Sequence, residues 1–112
     1  MGAANRRRGE VSAVIDGREA WLCLTLGSLA ELEDAFACED MGALARRFSG
    51  GTLSARDLLR VLAAGLRGAG ATVSDAEVAA MRVEGGAAGA ARVAAELLTS
   101  AFGVAEEPAP DP

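Results

Sequence analysis

The chain has 112 residues, of which 51% are hydrophobic and 24% charged, with a formal net charge of −5; this fits one globular domain with a modest core, too apolar for disorder and too acidic for a general nucleic-acid binder. It contains no His, Lys, Tyr or Gln. Those absences exclude a Ser-His-Asp triad, a histidine-ligated metal and a lysine Schiff base.

Residues 1–9 carry Arg6, Arg7 and Arg8 and read as a flexible basic arm. Glu10 to Ile15 then alternates polar and apolar, Asp16-Gly17 supplies a two-residue turn, and Arg18 to Leu26 returns as a second strand. Pairing Ile15 with Arg18 puts Val11, Ala13, Ile15, Ala20, Leu22, Leu24 and Leu26 on one face, with Arg18 at its turn end, and this face is expected to be the core face. The other face carries Ser12, Val14, Glu19, Trp21, Cys23 and Thr25. Two strands alone are not stable, so helices must cover the hairpin.

From Gly27 the hydrophobic period becomes helical. Ser28 to Glu31 forms a capping-box pattern, and Leu29, Leu32 and Phe36 make the apolar stripe of a first helix. Asp40 can cap a second helix carrying Met41, Leu44 and Phe48, with Gly50-Gly51 as its stop. A third helix starts at the box Ser54 to Asp57, presents Leu58, Leu59, Leu62 and Leu66, and stops at Gly68 and Gly70. A fourth starts at the box Ser74 to Glu77, presents Val78 and Met81, and runs to about Gly85-Gly86. A fifth covers Ala87 to Phe102 and presents Val93, Leu97, Leu98 and Phe102. Residues 104–112 are acidic and hold all three prolines, the composition of a disordered tail. The expected fold class is therefore α+β: an N-terminal β-hairpin packed on a small bundle of four to five helices, forming a single domain over residues 10–103.

Little in this sequence carries chemistry. The third and fourth helices are arranged like a pair of EF-hand helices, but Arg82 to Gly89 offers one carboxylate where a calcium loop needs several. Gly65 to Gly70 is glycine-rich but ends a helix instead of opening one, and lacks the Gly-Lys-Ser/Thr of a phosphate loop. Cys23 and Cys38, without histidine, do not close a zinc site, and both are expected as thiols. No cofactor and no metal is expected. The longest uncharged apolar stretch is too short to span a bilayer, and a cytoplasmic protein is expected. Trp21, with Val14 and Cys23, is the candidate partner-binding surface; the competing reading is that helices cover both hairpin faces and Trp21 is core. The use of Arg as the sole basic side chain, with abundant Ala and Gly, points to a high-GC bacterial genome.

The ordered set Asn5 to Val11, Ile15 to Arg18, Leu24 to Glu33, Leu53 to Leu58, Ala64 to Gly70 and Glu77 to Arg82 resembles a small tail protein of alphaproteobacterial gene transfer agents. That family is similar to phage tail assembly chaperones, and its members are also labelled tail tube proteins. The resemblance implies a non-enzymatic chaperone that binds the tail tape measure protein and helps recruit tail tube subunits; self-association is a reading of the Trp21 face itself, apart from the resemblance. A structural tail tube component is the alternative. The helical content favours the chaperone, because a tube subunit needs many alternating strands to close a ring of sheet. More remote is a regulatory helical protein that binds DNA through the arginine arm, or binds another protein.

Overall fold

A computed structural model describes residues 9–49 and 53–102. Its elements run β1 (Glu10–Ile15), β2 (Arg18–Cys23), α1 (Leu26–Ala35), α2 (Met41–Ser49), α3 (Ala55–Gly68), α4 (Asp75–Ala79) and α5 (Gly86–Phe102). This is the expected α+β architecture, an N-terminal antiparallel hairpin followed by five helices. The expected basic arm up to residue 8, the Gly50-Gly51 stop and the tail at 104–112 lie outside the described residues.

The hairpin register is the one the turn dictates. Ile15 pairs with Arg18, Ala13 with Ala20 and Val11 with Leu22. Asp16 and Gly17 both take positive φ, 54° and 81°, as a type I′ turn requires. Val11, Ala13, Ile15, Leu22 and Leu24 are buried on one face. α3 lies at the centre of the molecule and packs against β2, α1, α4 and α5. Its residues Val61 to Leu66 are all buried. α5 packs on α3 and β1 through Val93, Leu97 and Leu98.

Several local expectations are corrected. β2 ends at Cys23, not Leu26, because α1 begins at once with Thr25 as its N-cap. The capping box is Thr25–Ser28: the Thr25 hydroxyl accepts from the Ser28 N–H and the Ser28 hydroxyl accepts from the Thr25 N–H, both at 3.1 Å. Ser28 is thus inside the helix and buried, and its hydroxyl donates to the Ala64 carbonyl of α3 at 3.2 Å. On α3 the fully buried side chains include Val61, Ala63 and Ala64, while Leu58 and Leu59 are only partly buried. A central helix is enclosed on several sides, so a single stripe understates its buried surface.

α4 stops at Ala79, well short of Gly85-Gly86. The chain instead crosses to the hairpin, where Val83 forms an antiparallel bridge with Ile15 and the Glu84 N–H donates to the Val14 carbonyl at 2.9 Å. α5 starts at Gly86, one residue earlier than expected. The capping boxes of α3 and α4 are present as the sequence indicates, at Ser54–Asp57 and Ser74–Glu77. Asp40 accepts from the Ala43 N–H at 2.8 Å and so caps α2.

Candidate partner-binding face

The register that buries Leu22 turns Ser12, Val14, Glu19, Trp21 and Cys23 to the opposite face of the hairpin. Ser12 lies directly across from Trp21, and Val14 across from Glu19. Val14, Trp21 and Cys23 are half-buried. Partly buried hydrophobics such as Ala20, Phe36 and Leu58 pack on the core; Val14, Trp21 and Cys23 are not among them. The helices therefore cover one face of the hairpin and leave these three side chains on the other. Both cysteines are free thiols, and Cys23 belongs to this face while Cys38 packs on the core between α1 and α2.

Two polar clusters lock the helices that support the hairpin. Arg67 on α3 pairs with Glu31 of α1 and with Asp75 of α4 at 3.1 Å, and donates to the Val73 carbonyl at 2.9 Å. Partial burial works against the charged guanidinium, but the two carboxylates outweigh it and raise its pKa further. Arg47 on α2 sits 4.6 Å from the centre of the Phe36 ring and pairs with Asp57 at 2.9 Å. Phe36 meets Phe48 edge to face at 5.2 Å. Burial pushes the Asp57 carboxyl up, yet the Ser54 N–H and the Arg47 guanidinium prevail and hold it below the ordinary carboxylate value. These clusters join helices to one another: Arg67 links α3 to α1 and α4, and Arg47 links α2 to α3.

Sequence reasoning misplaced one surface residue and missed two grooves. Leu26, expected on the core face as the end of the second strand, is instead the first residue of α1 and 82% exposed, because β2 stops at Cys23 and the period of two no longer applies beyond it. An apolar groove of about 580 Å³ runs between α2 and α5, lined by Phe48, Leu53, Leu98 and Phe102. A second, of about 470 Å³, lies between α3 and α4, lined by Leu58, Leu59, Met81 and Val83. Neither groove has a one-dimensional signature, because each draws its lining from elements far apart in sequence.

Among the described residues, no helix is long and apolar enough to cross a membrane. Nor does any group of three or more acidic or cysteine side chains there come together as a metal site.

A family model described as phage tail tube protein, GTA-gp10, matches residues 8–104, which takes in the hairpin and all five helices. The chain belongs to that family. It is a family of phage tail proteins, not of enzymes, and membership gives this chain a structural or assembly role in a phage-type tail. No curated protein and no solved structure matches the chain.

Proposed function

We propose that this family member acts as a tail assembly chaperone of a phage-like gene transfer agent. It binds the tape measure protein and helps recruit tail tube subunits, in the cytoplasm of a bacterium, with Val14, Trp21 and Cys23 as the contact face. The observation that carries this reading is the small share of sheet among the described residues: two strands of six residues against five helices. A tube wall is a closed ring of sheet, and two short strands per subunit give little material for one. An outward face with a single large aromatic is, in contrast, the kind of anchor that dominates protein–protein contacts.

The second reading, a structural tube component, is favoured by the family's own description. Composition of purified particles separates the two. A chaperone is absent from finished particles and co-purifies with the tape measure protein from cells blocked in assembly. A tube component remains in the particle in many copies.

A further inference from the structure

β2 has an open edge, and its geometry selects an occupant. The Val14 carbonyl accepts from the Glu84 N–H at 2.9 Å, and the Asp16 N–H donates to the Arg82 carbonyl at 2.8 Å. Val14 therefore turns its backbone groups away from β2. In an antiparallel pair inward and outward residues alternate, so Glu19, across from Val14, and Trp21, across from Ser12, turn theirs away from β1. Cys23 has the same orientation, but its carbonyl lies against Gly68, where an added Cβ would stand 2.0 Å from the oxygen. No hydrogen bond among the described residues reaches the outward N–H or C=O of Glu19 or Trp21. From Glu19 to Trp21 the edge has no proline, no bulge and no covering segment among the described residues, and its protection is limited to the charged Arg18 and Glu19 at the turn end. Along β1, by comparison, the segment Arg82–Glu84 closes the outer edge at the turn end.

We propose that the outer edge of β2 pairs antiparallel with β2 of a second copy of this chain, on a two-fold axis at Ala20. An unpaired strand edge is satisfied by another strand, since only an extended backbone matches its spacing of donors and acceptors. Because the Cys23 end is blocked, Glu19 and Trp21 supply the free groups, and the two-fold register that uses all of them is centred on Ala20. In that register Glu19 faces Trp21 of the second copy and Arg18 faces its Leu22, so no like charges oppose. The residue on the axis is alanine, small enough for the strands to approach. The resulting order is β1-β2-β2-β1, and the partial closure of the β1 edge limits growth beyond two copies. Such a pairing is isologous, the usual geometry of a homodimer. It would set two Trp21 side chains on one continuous sheet face. The inference stands apart from the chaperone reading, since it concerns the purified chain alone.

Analytical ultracentrifugation of the full chain into the high micromolar range tests it, with a concentration-dependent dimer as the expected result. Glu19→Pro removes an outward N–H and leaves the hairpin's own ladder intact. It should raise the dimer dissociation constant by about tenfold or more, since two symmetric bonds are lost. In a Cys23→Ser, Cys38→Ser background, Ala20→Cys should form a disulfide-linked dimer on mild oxidation, because residues facing each other across a non-hydrogen-bonded site lie within disulfide reach. Val14→Cys in the same background should not. If Glu19→Pro fails to fold, the cysteine pair decides alone. A wild-type chain that stays monomeric throughout overturns the proposal, as does a dimer that Ala20→Cys cannot link. Neither result bears on capture of the tape measure protein, and loss of that capture leaves the dimer test standing.

Discussion

Asp16 and Arg82 hold each other through a reciprocal pair of hydrogen bonds: the Arg82 N–H donates to the Asp16 carboxylate at 2.9 Å, and the Asp16 N–H donates to the Arg82 carbonyl at 2.8 Å. Asp16 thus does two jobs. It adopts the positive φ of the hairpin turn, and its side chain ties the α4–α5 connection to the sheet. Asp16→Ala should cost about 1–2 kcal/mol, from the lost charge-assisted bond and the poorer fit of alanine to the left-handed region. Asp16→Asn should recover most of that, because asparagine tolerates the same φ and keeps an acceptor. Urea melts of the three proteins check the order; equal losses for Ala and Asn would show that the carboxylate's charge, not its geometry, matters.

Gly68 is required for close approach. A Cβ there would lie 2.0 Å from the Cys23 carbonyl and 2.5 Å from the Ser28 hydroxyl, so α3, β2 and α1 meet at its bare Cα. Gly65 is tight but against side chains, 3.0 Å from Leu97 and 3.1 Å from Leu22. Gly68→Ala should therefore destabilise by more than Gly65→Ala, the latter costing about 1–3 kcal/mol as an overpacked core position. Side chains can shift rotamer, whereas a backbone carbonyl moves only with its strand. Thermal melts showing the reverse order would refute the packing described at the α3 terminus.

Asp57 makes stability sensitive to acid. Its folded pKa lies below its unfolded one, so its contribution is fully present above the ordinary carboxylate range, about pH 4, and is lost as pH falls through the folded value. The Asp57→Asn variant lacks this contribution at every pH. The stability gap between wild type and variant should be widest near neutrality and should shrink on acidification below about pH 4. Denaturant titrations across that range measure it; a gap independent of pH would mean that the Arg47 pair adds nothing through charge.

Trp21 lies off the core, so Trp21→Ala should leave the fold largely intact. On the proposed function it should weaken capture of the tape measure protein by ~2 kcal/mol or more, the scale of an aromatic hot spot. The contrasting control is Leu22→Ala, one residue away on the fully buried face, which should cost ~2–5 kcal/mol of stability. Melts and pull-downs of both variants, side by side, make the comparison. A well-folded Trp21→Ala chain with full partner binding would remove this face as the site.

The elements whose causes are local were legible in the sequence. Asp16-Gly17 accepts positive φ at two successive positions, and with a side-chain period of two that fixes which residues of β1 and β2 face inward. Ser54–Asp57 and Ser74–Glu77 start their helices with bonds that span three residues, so four letters specify each. Tertiary contacts decided the rest. Ser28 looks like a cap and is instead the third residue of its helix, bonded across to Ala64, because the strand-to-helix corner must clear Gly68. Arg82–Glu84 continues a helical pattern and instead leaves it to pair with β1, since the strand's unpaired backbone groups gain bonds that a frayed helix end cannot match. Val61, Ala63 and Ala64 are buried because α3 is surrounded, a property of its neighbours and not of its own pattern. The openness of the β2 edge is of the same kind. Whether a strand edge is covered depends on where distant segments run, and no pattern within Arg18–Cys23 records that.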